Sequence, residues 1–133
     1  TLELLNEVPD LKLVFDTGNP VFQKDRSKSE PYPWQNSWDF YDQVKEVVTH
    51  VHIKDTKYPE GGDDPKYTFP GDGDAYVKEI LGNLKSNGYD GFIAIEPHMA
   101  KVFHEDNSDG NVNKQYEVYL EYGRKMEQLI AKI

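Results

Sequence analysis

No cysteine occurs in the 133 residues, which excludes disulfides, thiolate metal centres and a thiol nucleophile within this stretch and leaves the redox compartment open. Long apolar runs are missing as well: none approaches the roughly 20 residues that span a bilayer, so no membrane partner is expected. Arginine is scarce, Arg26 and Arg124 being the two among 15 cationic side chains, and against 24 carboxylates the net charge is -9. A surface of that sign does not track a phosphate backbone, so no nucleic acid is expected as partner and a small molecule is. The apolar fraction of 37% and the mean hydropathy of -0.79 are lean for a parallel sheet, which has to be covered on both faces. One small domain fits the length. Yet no methionine opens the chain, and TLELLNEV reads as the last turns of a helix. The expectation is therefore part of a larger domain, with any signal segment lying upstream.

What the chain does have is an α/β rhythm. Three apolar runs, LKLVFD, VVTHVH and GFIAIE, read as strands over 11–16, 48–52 and 91–96, each followed by a loop and a helical pattern. The stretch 19–36, with three prolines and many charges, predicts a long loop. Ser37 is the predicted N-cap of a helix over 38–47. A second loop over 55–73 ends in FPGDGD before a helix over 75–86, whose Val77, Ile80, Leu81 and Leu84 repeat at helical spacing, and Asn87-Gly88 ends it. A terminal helix of about 20 residues has Tyr116, Tyr119, Leu120, Gly123, Met126 and Ile130 as its predicted buried stripe.

Each strand closes on a side chain able to bind metal: Asp16, His52 and Glu96. Side chains alternate along a strand, so Asp16 shares a face with Val14, His52 with Val48 and His50, and Glu96 with Phe92 and Ala94. Parallel strands about 4.8 Å apart would bring the three together at the C-terminal end of the sheet, where parallel α/β folds keep their active sites. Two carboxylates and an imidazole suit one divalent ion such as Mn²⁺, Mg²⁺, Co²⁺ or Zn²⁺. Singly, each residue has a plain alternative: a loop-capping Asp, a hydrogen-bonded His, a surface Glu. Their occurrence at equivalent strand ends favours the metal.

The strings FDTGN, HVHIKD, PGDGD and GYDGFIAIEPH, in this order and spacing, resemble the C-terminal half of the sugar phosphate isomerase/epimerase superfamily, the xylose-isomerase-like (β/α)₈ barrels. The resemblance covers nearly the whole chain. It implies that residues 1–133 form the C-terminal part of a single TIM barrel domain of about 250 residues or more, approximately strands six to eight with their helices. It also implies a four-ligand metal site of which Asp16, His52 and Glu96 match the last three. The first Glu has no counterpart and is expected upstream of Thr1. The implied activity is metal-dependent isomerisation or epimerisation of a sugar or sugar phosphate through an enediolate, with Glu96 as both ligand and catalytic acid/base. This segment alone should then be inactive. A homo-oligomer, or association with the missing N-terminal half, is the expected partnership, and the cytoplasm the expected location.

Departures from the family pattern narrow this reading. Where many members carry a histidine three residues after the Asp ligand, this chain has Asn19, a sugar hydroxyl contact or simply a good turn residue. Where ketose 3-epimerases carry an arginine, it has Tyr58. Lys54 is a candidate to neutralise enediolate charge or contact substrate, or else a surface lysine, and Asp55 to orient it or to cap the loop. His98 is a candidate substrate contact, His104 a solvent-exposed residue and His50 a packed one. Gly71-Asp72-Gly73-Asp74 precedes a helix N-terminus, where anions bind, but its aspartates favour a turn with Asp74 as N-cap. Trp34 and Trp38 either stack on a sugar, form a lid or pack on the next helix. Two alternatives remain: a non-catalytic carbohydrate-binding or regulatory barrel, and an endonuclease-like metal hydrolase, which needs more histidines and a basic groove.

Overall fold

In the computed structural model, residues 1–59, 61, 64–99 and 109–133 are described, with side chains of the last segment from 114 onward. The elements run α1 (Leu2–Glu7), β1 (Leu13–Asp16), α2 (Ser37–Val44), β2 (Val48–Ile53), β3 (Asp55–Lys57), β4 (Lys66–Thr68), α3 (Val77–Ser86), β5 (Phe92–Ile95) and α4 (Asp109–Ile130), with short 3₁₀ turns at Asn19–Phe22 and Lys45–Val47. The strands β1, β2 and β5 form one parallel sheet in that order, as part of a barrel requires, and β3 and β4 form a separate antiparallel pair.

One side of the parallel sheet is covered. Phe15, Val51 and Ile53 point into a core with Tyr41 and Val44 of α2, the Val77–Ile80–Leu81–Leu84 stripe of α3, and Tyr122 and Met126 of α4. The i, i+3, i+4, i+7 spacing that predicts α3 is thus the face it buries. The other side is open: Val14 is 59% and Phe92 80% exposed. Among the described residues no helix is long and apolar enough to cross a membrane.

Several local expectations are corrected. The loop over 55–73 contains the β3–β4 hairpin, with Asp55 opposite Thr68 and Lys57 opposite Lys66; its short charged strands carry no long alternation to announce them. Asn36, not Ser37, caps α2 by accepting from the Asp39 N–H at 3.1 Å, while the Ser37 hydroxyl donates to the Thr17 carbonyl. Helix α3 starts after Tyr76, whose backbone is left-handed at φ 55°, so Asp74 is not its N-cap. Val48 joins the core instead of sharing the half-exposed face of His50, because the β1–β2 register slips between Leu13 and Val14 and resets the alternation. Among the described side chains of α4 the buried ones are Tyr122 and Met126, with Tyr116, Tyr119, Leu120 and Ile130 at the surface. Of the predicted stripe Met126 is buried as expected and the tyrosines are not, since a helix this polar has a weak apolar period to follow. Of the two tryptophans, Trp38 packs against the core beside Tyr41, and Trp34 carries Lys24 Nζ 3.4 Å over its ring.

The packing has a measurable alkaline signature. Burial pushes the phenols of Tyr41 and Tyr58 from 10.0 up to about 12; Tyr41 Oη donates to Asn83 Oδ1 at 2.9 Å and Tyr58 Oη to the Gln35 carbonyl at 2.7 Å. Above pH 10 the unfolded chain loses these protons while the folded chain keeps them. Stability should therefore hold up to about pH 10 and fall toward pH 12, by up to about 1.4 kcal/mol per pH unit for each group. Urea unfolding across that range, followed with phenolate absorbance, checks this. A Tyr41→Phe slope as steep as that of wild type would remove Tyr41 from the account.

Candidate active site

The sheet register builds the site. Asp16 pairs directly with His52, and the ladder continues one step beyond β1 through the Thr17 N–H, which donates to the His52 carbonyl at 3.0 Å. Across the next gap His52 pairs with Ala94 and Ile53 with Ile95, and the Glu96 N–H donates to the Ile53 carbonyl at 2.9 Å. Continuing that register sets Lys54 beside Glu96. Lys54, two residues after His52, also shares its face.

Ligand atoms of Asp16, His52 and Glu96 all lie within 4.8 Å of one another. Asp16 divides its carboxylate: Oδ1 accepts from the N–H groups of Gly18 at 3.0 Å and Asn19 at 3.1 Å, fixing the loop start, while Oδ2 faces Lys54 Nζ at 2.9 Å. Glu96 does the same, with Oε1 3.0 Å from His98 Nε2 and Oε2 3.1 Å from Lys54 Nζ and 3.3 Å from His52 Nδ1. Asn19 Oδ1 accepts from Lys54 Nζ at 3.3 Å. All six residues singled out in the sequence for metal or substrate, Asp16, Asn19, His52, Lys54, Glu96 and His98, thus form one connected cluster. His104 lies outside the described residues, and His50 is half-buried with its ring edge-on to His52.

Lys54 is the residue the sequence undervalues. Its side chain is 7% exposed. Thr17 holds its backbone, donating to the Lys54 carbonyl at 2.7 Å and accepting from its N–H at 3.0 Å. Gly18 makes room for it: a Cβ there would stand 2.9 Å from Lys54 Cγ and 2.8 Å from its carbonyl oxygen. Burial pulls the Lys54 ammonium down, and the Asp16 and Glu96 carboxylates outweigh that and raise it. For Glu96, burial pushes up, but hydrogen bonds with His98, Asp16 and Lys54 and the Lys54 charge bring it to about 2. Asp16, more deeply enclosed, is raised by burial in spite of Lys54.

Beside the cluster the hairpin adds an aromatic wall that sequence reasoning missed. Tyr67 of β4 lies against His98 at 5.0 Å and Phe22 at 4.9 Å between ring centroids. These rings line a cavity of about 390 Å³ together with Met99.

Asp55 has the loop-capping role. It is 1% exposed and accepts from four N–H groups: Thr56 at 2.8 Å and Ala75 at 3.2 Å on Oδ1, Gly71 at 2.7 Å and Gly73 at 3.1 Å on Oδ2. Gly73 has to be glycine, since a Cβ would overlap this carboxylate. The N–H groups of the GDGD loop that would cradle a phosphate are therefore committed to an internal anion. Tyr122, also missed, braces the turn by accepting from the Asp55 N–H at 3.1 Å.

A model of the xylose isomerase-like TIM barrel family matches residues 1–122. No curated protein matches the chain. Among solved structures the chain is similar to the crystal structure of a xylose isomerase domain protein from Planctomyces limnophilus, with a TM-score of 0.69 and 22% identity over 99% of this chain and 43% of that one. At that identity the likeness is one of fold, and this chain spans less than half of its neighbour's length. Three parallel strands with helices packed on one side match a portion of such a barrel, and the family match extends across the strand ends bearing Asp16, His52 and Glu96. The chain belongs to the xylose isomerase-like TIM barrel family.

Proposed function

We propose that this chain is part of a divalent-metal-dependent enzyme that isomerises or epimerises a sugar or sugar phosphate through an enediolate. The convergence of Asp16, His52 and Glu96 ligand atoms within 4.8 Å at the C-terminal strand ends carries this reading. The donor set fits: one oxygen from each carboxylate and an imidazole nitrogen suit Mn²⁺, Mg²⁺, Co²⁺ or Zn²⁺. Asp16, His52 and Glu96 would hold the ion, which would supply Lewis acidity toward neighbouring substrate oxygens.

The side chains then divide the work. Glu96, ionised at neutral pH, takes the proton from the carbon next to the carbonyl. The Lys54 ammonium offsets negative charge developing on the substrate oxygens, while Asn19 and His98 hydrogen-bond hydroxyls. Tyr67 and Phe22 offer aromatic faces to sugar C–H groups. In the intact protein, a Mn²⁺ titration should show binding that Asp16→Asn or His52→Ala weakens by about 100-fold or more, since even outer groups cost 10- to 100-fold. His50→Ala, one turn of the pleat away, should leave it near wild type. Equal affinity in all four proteins would defeat the metal centre.

A fourth ligand and the closing strands belong, in this reading, to the rest of the barrel or to a second copy. The exposed Val14 and Phe92 on the open face favour such covering. Sedimentation of this 133-residue chain alone should show association, and a cooperative, fully active monomer would contradict the partial-barrel reading.

A carbohydrate-binding protein without catalysis is the second reading. It is favoured by one observation, the Lys54 ion pairs that already neutralise both carboxylates. Mn²⁺ binding together with solvent exchange of a substrate carbon-bound proton would exclude it.

A further inference from the structure

Lys54 reaches from the end of β2 into the middle of the donor set. Its Nζ lies 2.9 Å from Asp16 Oδ2 and 3.1 Å from Glu96 Oε2. The second oxygen of each carboxylate is held elsewhere, Asp16 Oδ1 by the Gly18 and Asn19 N–H groups and Glu96 Oε1 by His98. The two oxygens available to a metal are thus the two that hold the ammonium. A divalent ion bonded at about 2.1 Å to Asp16 Oδ2 would lie no more than about 5 Å from Nζ at its present position, that bond added to the 2.9 Å contact. Two cations that close repel strongly in a partly enclosed site. The two occupants compete for one seat.

The chain also provides somewhere for the ammonium to go. Asn19 Oδ1 is already 3.3 Å from Nζ and carries no charge that a metal would need. Gly18 leaves room at Cγ of the lysine, where a Cβ would stand 2.9 Å away, and the unbranched carbons beyond it can rotate about single bonds. Lysine suits this better than arginine would, being a compact point charge on a flexible stem with no fixed fork.

We propose that Lys54 is the resident cation of this site and that metal loading is an exchange: the ammonium releases Asp16 and Glu96 to the incoming ion and turns toward Asn19 and the substrate. The inference rests on the metal-centre reading above and adds a residue that sets metal affinity. Without a metal, Lys54 keeps two facing carboxylates together. With one, the displaced charge moves to where substrate oxygens would lie, so loading the site and arming Lys54 for substrate become one event.

The test is calorimetric titration of the intact protein with Mn²⁺ alone. Lys54→Met removes the competitor, so Mn²⁺ should bind about tenfold more tightly or better, while Lys54→Arg, which keeps a cation there, should stay within a few-fold of wild type. After treatment with chelator, Lys54→Met should melt several degrees below wild type, because Asp16 and Glu96 face one another uncompensated, and saturating Mn²⁺ should close that gap. Should the methionine variant not fold, Lys54→Gln carries the same expectations. Wild-type binding with no tightening in the neutral variants would overturn the exchange and leave the metal centre standing. Absence of Mn²⁺ binding in every protein would overturn both.

Discussion

Glu96→Gln is expected to abolish exchange of the substrate's carbon-bound proton with solvent in the complete enzyme while leaving the fold intact. General acid/base help alone is worth about 10²- to 10⁴-fold, and a weakened metal ligand adds to the loss. Glutamine keeps the shape and one carbonyl oxygen but has no site for the abstracted proton. The fold should tolerate it, because Glu96 stands beyond the end of β5 with its side chain 39% exposed and contributes nothing to the core. The comparison to make is deuterium wash-in from solvent at matched circular dichroism. Exchange at the wild-type rate would move the proton transfer to another group.

The second large effect is on stability and lies outside the reacting groups. Asp55→Ala should cost about 3–5 kcal/mol, because four N–H groups, those of Thr56, Gly71, Gly73 and Ala75, lose their acceptor at a position only 1% exposed. Asn should not rescue it, since its amide would point two donors at other donors. Burial raises the Asp55 carboxyl while the Gly73, Thr56, Gly71 and Ala75 N–H groups lower it, so the loop depends on that burial being compensated. Asp72→Asn is the control: Asp72 is an exposed loop residue 3.5 Å from Lys125, a pair worth at most about 1 kcal/mol. A urea midpoint for Asp55→Ala within error of that control would refute the capping role.

The parts of the site legible in the sequence were those governed by local periodicity. Asp16, His52 and Glu96 could be aligned because a strand alternates with period two and all three runs end at equivalent places. The α3 stripe was legible for the same reason, its apolar residues repeating at 3.6. Where periodicity is weak or interrupted, the reading failed in part or entirely: on α4, where Met126 is buried as expected but Tyr116 and Tyr119 lie at the surface; at Val48, where a register slip resets the faces; and in the β3–β4 hairpin, whose strands are three residues each.

Lys54 shows most clearly what only tertiary structure could decide. Its parity with His52 was available in the sequence, yet a lysine after a strand end is by composition a surface residue. Burial came from partners distant along the chain: Asp16 and Asn19 from β1 and its loop, Glu96 from just past β5, and a glycine at 18 that lets the stem pass. The same holds for Asp55, three of whose four donors lie 16 to 20 residues away, in and just after the GDGD loop, and for Tyr122, 67 residues from the N–H it accepts. The sequence by itself determined the α/β alternation, the acidic surface and which residue types stand at the strand ends, because these depend on neighbours within a few positions. Which side chains share charge, which carboxylate oxygen faces the site and which anion fills the glycine-rich loop were set by packing between elements, because electrostatic and hydrogen-bond partners are chosen by distance in space.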